Sequence, residues 1–212
     1  MKADAPPPLV SLCIPTKNRA DALDQCLHCI FSAEHYDSRL IEVVVSDNAS
    51  TDNTQQVVEK YQRTQQNIVY NRDKENLGVG GELNFIKVLS LGKGRLLKLV
   101  NDYTLLKDQA IEALLHIVRT YGKEQYPVVF VPARRGFQEH IVATMGEMVE
   151  HTKEHITWIG AHAYWKEKWD ALPDKTKLID SCFMQTDWLF RLVRRGEPII
   201  VEEGAFFGKL VT

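Results

Sequence analysis

Residues able to hold a polar ligand collect in four short stretches of the first half: Pro15-Thr16-Lys17-Asn18-Arg19, Asp47-Asn48-Ala49-Ser50-Thr51-Asp52, Asn71-Arg72-Asp73 and Asn101-Asp102-Tyr103-Thr104. Their hydroxyls, amides, carboxylates and guanidinium supply hydrogen bonds of both senses. A fifth stretch, Asn76-Leu77-Gly78-Val79-Gly80-Gly81, is glycine-rich and opens a helical pattern. Free backbone N–H groups at such a helix start can face a diphosphate, and the same glycines can equally form a plain flexible turn.

What is missing narrows the ligand. No Gly-x-Gly-x-x-Gly follows the first apolar run, and Gly92-Lys93-Gly94 lacks the spacing and the Ser/Thr of a P-loop. A dinucleotide oxidoreductase or an NTPase is disfavoured. Cys26-Leu27-His28-Cys29 has the spacing of half a zinc site without a second Cys pair to complete it. His151 and His155, spaced i, i+4 among glutamates, lack the His-Glu-x-x-His order of a zinc protease and read as a solvated helix face. Arg191, Arg194 and Arg195 suit a helix C-terminus, where the macrodipole favours cations, and the four tryptophans suit the core or the face of a sugar ring.

The polar stretches need elements to carry them. Apolar runs at Leu9–Ile14, Ile41–Ser46, Ile68–Tyr70, Leu96–Val100 and Val128–Val131 read as strands. Between them, Leu23, Cys26, Leu27 and Ile30 share one helix face, Val57, Val58 and Tyr61 a second, and Ile111, Leu114, Leu115 and Val118 a fourth. The third helix, about Gly81–Leu91, is apolar enough to be covered on most sides. Unbroken alternation of strand and helix predicts an α/β fold, with a mostly parallel sheet and helices on both faces. In such a sheet, ligands bind beyond the carboxyl ends of the strands, which is where four of the polar stretches fall. Helix capping is the competing explanation for any single stretch, with Ser50 or Thr51 expected to cap the second helix, but it accounts less well for all four together.

The chain has 212 residues, 44% of them hydrophobic, enough for one full core. Its 26 basic and 28 acidic residues nearly cancel, so nothing electrostatic points to nucleic acid. Residues 1–8 read as a flexible N-terminal segment, with no apolar stretch suited to a signal-peptide core, and no apolar segment is long enough to span a bilayer. The expectation is a cytoplasmic protein with at most peripheral contact with the inner face of a membrane. Four cysteines, Cys13, Cys26, Cys29 and Cys182, are too few and too buried-looking for a disulfide scaffold.

From about Arg134 the rhythm is lost, and Trp158, Trp165, Trp169 and Trp188 all fall in this part. It is either an irregular extension of the sheet or an acceptor-side subdomain, closed by a helix near Asp187–Arg195 and a strand at Ile199–Val201. Residues 9–212 are read as one domain, with 9–132 as the ligand-binding part and 133–212 as the second part. The early end at Thr212 fits a piece of a longer chain or a minimal enzyme.

Taken in order, these stretches resemble a known family. Val10 to Arg19 is similar to the opening strand and loop of glycosyltransferase family 2, the large inverting group of GT-A fold. Glu42 to Thr54 resembles its second strand and loop, and Asn76-Leu77-Gly78 and Asn101 to Leu106 fall in the order of its third and fourth blocks. The resemblance covers roughly the first 120 residues, and several ordered motifs together are specific where each alone is weak.

The resemblance implies a nucleotide-sugar donor, commonly a UDP-sugar, and a glycan or lipid-linked acceptor in surface glycan or polysaccharide synthesis. It implies that Pro15, Thr16, Asn18 and Arg19 line the nucleotide, that Asp47 contacts the base, that Asn48 belongs to the same donor site, and that Asn76 and Gly78 flank the pocket. Asn101 and Asp102 correspond to the site where carboxylates hold Mn²⁺ or Mg²⁺ against the diphosphate, whose departure develops negative charge. Here Asp102 is the single carboxylate of that block, so either the cation binds mainly through the donor phosphates and Asp102, or the enzyme is metal-independent or impaired. An inverting transfer needs a general base, and Asp187 fits by position, with Asp180 in reserve. The rival readings are a non-catalytic nucleotide-sugar-binding or scaffolding domain of a larger protein and, less favoured, a nucleotidyltransferase.

Overall fold

The computed structural model describes residues 6–78, 81–133, 137–193 and 196–209. In chain order the elements begin β1 (Val10–Thr16), α1 (Ala20–Phe31), β2 (Ile41–Asp47), α2 (Thr54–Gln62), β3 (Ile68–Arg72), α3 (Glu82–Leu91), β4 (Leu96–Leu99), β5 (Thr104–Leu106) and α4 (Asp108–Tyr121). They continue with β6 (Val128–Pro132), β7 (Phe137–Val142), α5 (Met145–Thr152), β8 (His162–Trp165), α6 (Lys166–Ala171), α7 (Met184–Leu192), β9 (Ile199–Gly204) and β10 (Phe207–Lys209), with three short 3-10 turns among them.

Eight strands form one sheet in the order β3-β2-β1-β4-β8-β6-β9-β7, while β5 and β10 pair separately. The first four are mutually parallel. β8 runs against both β4 and β6, β9 is parallel to β6, and β7 closes the edge antiparallel to β9. The sheet therefore continues through the second half of the chain, which supplies β7, β8 and β9.

Chain order and spatial order together locate the switch point. From β1 the chain winds outward through β2 to β3, then returns to β4 on the other side of β1. Because parallel crossovers are right-handed, reversing the direction of winding moves the connecting helix to the other face. The packing agrees: α1, α2 and α4 bury Leu23, Leu27, Val58 and Leu114 against Leu12, Val43 and Leu96. α3, α6 and α7 bury Val88, Leu89, Trp169 and Trp188 against Cys13, Val44 and Leu97 on the opposite face. Crevices for ligands open at such a reversal, here between the carboxyl ends of β1 and β4.

Several expectations need correction. Neither Ser50 nor Thr51 caps α2: the N-cap position is Asn53, and Asp52 just before it accepts from the backbone N–H and the hydroxyl of Thr54. α3 is one-sided: Asn84, Val88 and Leu89 are buried while Leu83 is exposed. The last helix starts at Met184, a turn earlier than the sequence suggests, and Arg194 and Arg195 lie outside the described residues. Three tryptophans, Trp165, Trp169 and Trp188, are core residues. All four cysteines are free, and Cys182 is exposed rather than buried.

Gly92-Lys93-Gly94 lies at the opposite end of the sheet from the switch point. The backbone N–H of Gly94 donates to Ser11 Oγ at 2.7 Å and to Glu42 Oε1 at 3.1 Å, which explains why this glycine pair is structural and not a phosphate loop. No helix among the described residues is long and apolar enough to cross a membrane.

Candidate active site

β1 extends beyond its last ladder partner on β4, Cys13↔Leu99, so continuing that register brings Thr16 level with Asp102. On the other side, Thr16 pairs in register with Asp47 of β2. One threonine thus stands between two aspartates, and the two side chains take different paths.

Asp102 faces the crevice floor and is almost wholly buried. Its Oδ2 accepts from Thr16 Oγ1 at 2.7 Å, and its Oδ1 accepts from Arg19 Nη1 at 3.1 Å. Burial raises the carboxyl above the usual carboxylate range, and the bonds from Thr16 and Arg19 pull the other way without cancelling that rise. Arg19 is half-exposed, and its guanidinium also lies 4.8 Å from the Tyr103 ring centroid, a cation–π contact that fixes its direction.

Asp47 turns away. Its carboxylate is fully buried, accepts from the Ser50 backbone N–H and from Tyr70 Oη at 2.8 Å each, and has Arg72 Nε 3.6 Å away. These contacts wind the second loop around it, and no part of Asp47 lines the crevice. The base contact expected of Asp47 is therefore not made available by this geometry.

The loops are stapled to one another. Asn18, in the left-handed region at φ 51°, receives a bond at its side-chain oxygen from the Thr51 N–H, and its own N–H donates to Ser50 Oγ. Asparagine tolerates that backbone better than most residues. Asn18 thus fastens the first loop to the second rather than lining the crevice. Asn48 Nδ2 donates to Asn76 Oδ1 at 2.8 Å, and Asn48 Oδ1 accepts from the Leu77 N–H at 2.7 Å, tying the second loop to the third. Gly78, at φ 127°, takes a backbone conformation that a side chain would strain. Val79 and Gly80 of the glycine-rich stretch lie outside the described residues.

The result is one cleft of about 750 Å³, within the size range of small-molecule sites. Pro15, Thr16, Arg19, Asn48, Asn76, Gly78, Asn101 and Asp102 all line it, so eight of the residues expected from the sequence are brought together. Lys17, part of the first polar stretch but not singled out there, lines it too, as do Asn84 and Phe85, which sequence reasoning missed. Lys17 carried a signal, as a basic residue in a strand-tip loop. Asn84 is a buried polar residue on a helix, and its amide donates to the Ser46 carbonyl at 2.8 Å.

The opposite wall comes from Thr157, Trp158, Ile159, Cys182 and Gln185. Lys98 holds this wall to β4: its buried Nζ donates to the carbonyls of Leu99, His162 and Gly160. A Cβ on Gly160 would stand 2.5 Å from the Trp158 ring, so glycine allows the indole to fold over its own backbone toward the cleft.

Asp187 is not part of the wall. Gln185 lines the cleft, and a residue two further along an α-helix points about 200° around the axis. Asp187 instead pairs with Arg191 at 3.1 Å on the far side of α7. Asp180 is exposed and also lies off the cleft. Among the described residues, Asp102 is the one carboxylate that lines it, faced by the cations Lys17 and Arg19. The balance favours an anionic ligand.

Known proteins share this architecture. The structure of Staphylococcus aureus TarS residues 1–349 in complex with UDP superposes with a TM-score of 0.71 at 17% identity, covering 96% of this chain and 60% of that one. The mannosyltransferase PcManGT from Pyrobaculum calidifontis, in complex with GDP-Man and Mn²⁺, gives 0.64 at 18% identity, covering 94% and 57%. At these identities the likeness is one of fold, the GT-A type. The abequosyltransferase RfbV of Salmonella typhimurium is 32% identical over 154 residues, 71% of this chain and 41% of that protein. The chain spans less than half the length of the curated relatives it matches. The family model for glycosyl transferase family 2 matches residues 11–123, more than half of the chain and all four polar strand tips. The chain belongs to glycosyl transferase family 2.

Proposed function

We propose that the chain binds a nucleotide-sugar donor, a UDP-sugar, across the cleft and passes its sugar to an acceptor hydroxyl in the synthesis of a bacterial-type surface glycan. The observation that carries this reading is the convergence of the tips of β1, β2 and β4 on one cleft, with Asp102 at its floor and Lys17 and Arg19 beside it, whereas Arg72 and Asp73 at the tip of β3 line a separate depression. Lys17 and Arg19 suit the diphosphate, and the Asn48–Asn76 clasp with Gly78 suits the nucleoside. Trp158 offers an aromatic face to a sugar. The similarity to an abequosyltransferase and the UDP-bound TarS neighbour support the substrate class.

A divalent cation fits this reading through one protein contact. Magnesium-type ions are commonly held by one or two carboxylates with the remaining positions filled by substrate phosphates and water. Asp102 supplies the carboxylate, while the buried Asn101 Nδ2 beside it, a donor without a protein partner, suits a phosphate oxygen and not the cation itself. Such a cation would neutralise charge on the departing diphosphate. The Mn²⁺ of the PcManGT complex supports it.

The wall facing Asp102 has no carboxylate among the described residues, and that observation favours a second reading, a domain that binds the donor without turning it over. Slow release of free sugar from UDP-sugars in the presence of Mn²⁺ separates the two. Release above the buffer rate that falls in Asp102→Asn supports transfer chemistry. Saturable binding with release at the buffer rate supports the binding domain.

A further inference from the structure

Outside the cleft lining, three side chains from three different elements meet on one face of the sheet edge. His140 sits on β7 and Glu203 on β9, where Gln138 pairs with Glu203 and His140 with Val201. Because side chains alternate along a strand, His140 and Glu203 are diagonal neighbours on the same face. α5 packs over that face. Thr144 caps its start by accepting from the Glu147 N–H, and Met148 buries itself among Val129, Val201 and Leu189. His151 follows Met148 by three residues, on the same side of the helix, and is lowered onto the pair.

The imidazoles of His140 and His151 lie ring to ring, centroids 4.2 Å apart. Glu203 Oε1 is 3.7 Å from His140 Nε2 and 3.5 Å from His151 Nδ1, and all three donor atoms lie within 4.8 Å of one another. These separations are too long for hydrogen bonds, and His140 Nε2 is buried without a hydrogen-bond partner. They are close to shared ligation: two donors at zinc distances on a tetrahedron stand about 3.4 Å apart. The third pair, between the two imidazoles, stands within 4.8 Å and closes to that value by side-chain rotation on binding. His151 therefore does not sit on a solvated face, and its companion is His140, eleven positions upstream, not His155.

We propose that His140, His151 and Glu203 form a binding site for a divalent transition metal of the zinc class, separate from the cleft, that pins α5 to the β7–β9 edge. Two imidazole nitrogens and one carboxylate oxygen suit Zn²⁺, whereas Mg²⁺ and Mn²⁺ prefer oxygen-rich sets. Three protein ligands leave a fourth position for water. The three side chains are a quarter to a third exposed, so an ion can reach the cluster from the surface although His140 Nε2 itself is buried.

Calorimetric titration of the untagged chain with Zn²⁺ tests this. One equivalent is expected to bind to the wild type and to Asp102→Asn alike, which sets the site apart from the cleft. Affinity is expected to fall at least about tenfold in His151→Ala and in Glu203→Gln. Equal affinity in these variants overturns the site. Co²⁺ gives an independent reading on the unmodified chain: a tetrahedral visible absorption band supports the site, and an octahedral spectrum alone contradicts it.

Discussion

The hydroxyl of Thr16 donates to Asp102 Oδ2 across 2.7 Å, joining the carboxyl ends of β1 and β4 where the sheet reverses its direction of winding. Both residues are buried, so this bond and the one from Arg19 are what compensate a charge held away from water.

Replacing Thr16 by valine preserves shape and removes that donor. A hydrogen bond to a buried charged group contributes on the order of 1.5–3 kcal/mol, so Thr16→Val is expected to lower unfolding free energy by about that amount in urea denaturation. It should also raise the proton affinity of Asp102 further, so that cation-dependent donor binding is lost at a higher pH than in the wild type as pH falls. Unchanged stability would mean that the carboxylate is satisfied from elsewhere.

Gly94 supplies a test of the fold at the other end of β1. A Cβ there would lie 2.5 Å from the Ser11 backbone nitrogen, which has no flexible end to yield. Gly94→Ala is expected to cost at least about 1–3 kcal/mol, the range for overpacking, seen as a lower thermal midpoint with the donor affinity of the folded fraction retained. A midpoint equal to wild type would contradict the close approach.

His162 makes stability depend on pH. It is fully buried on β8, its Nε2 sits 2.8 Å from the Ile156 carbonyl, and Nδ1 has no partner, so a second proton would have no acceptor. Burial lowers its pKa to about 3. Between that value and the unfolded value of about 6.5, the unfolded chain binds the extra proton and the folded one does not, so stability falls as pH falls. From about pH 6.5 downward, this residue contributes a loss of up to about 1.4 kcal/mol per pH unit. His162→Gln is expected to flatten that part of the acid limb in denaturation midpoints, whatever its effect at neutral pH. An identical slope in both proteins would exclude the residue as its source.

The strands around the switch point were legible because β1, β2 and β4 are buried on both faces and read as unbroken apolar runs. Their polar tips could be read in the same way, since the end of an apolar run marks the end of a strand. β7 was not legible: Phe137-Gln138-Glu139-His140-Ile141-Val142 is an edge strand with little burial on either side. β5 and β10, at three residues each, are too short to carry a period. The second wall of the cleft joins Trp158 to residues about 60–140 positions away by tertiary contact alone, which no local pattern encodes. The Asp187 expectation failed on helix phase. Starting α7 at Met184 turns Gln185 toward the cleft and Asp187 toward Arg191.

The central claim, a nucleoside diphosphate seated against Asp102, is tested most directly by thermal shift with UDP, GDP and ADP, each with and without Mn²⁺. A ligand selective for the folded state raises the apparent midpoint with concentration. UDP with Mn²⁺ is expected to raise it most, and Asp102→Asn to abolish the Mn²⁺-dependent part of the rise. No shift with any nucleotide, or an equal Mn²⁺-dependent shift in Asp102→Asn, would contradict the account.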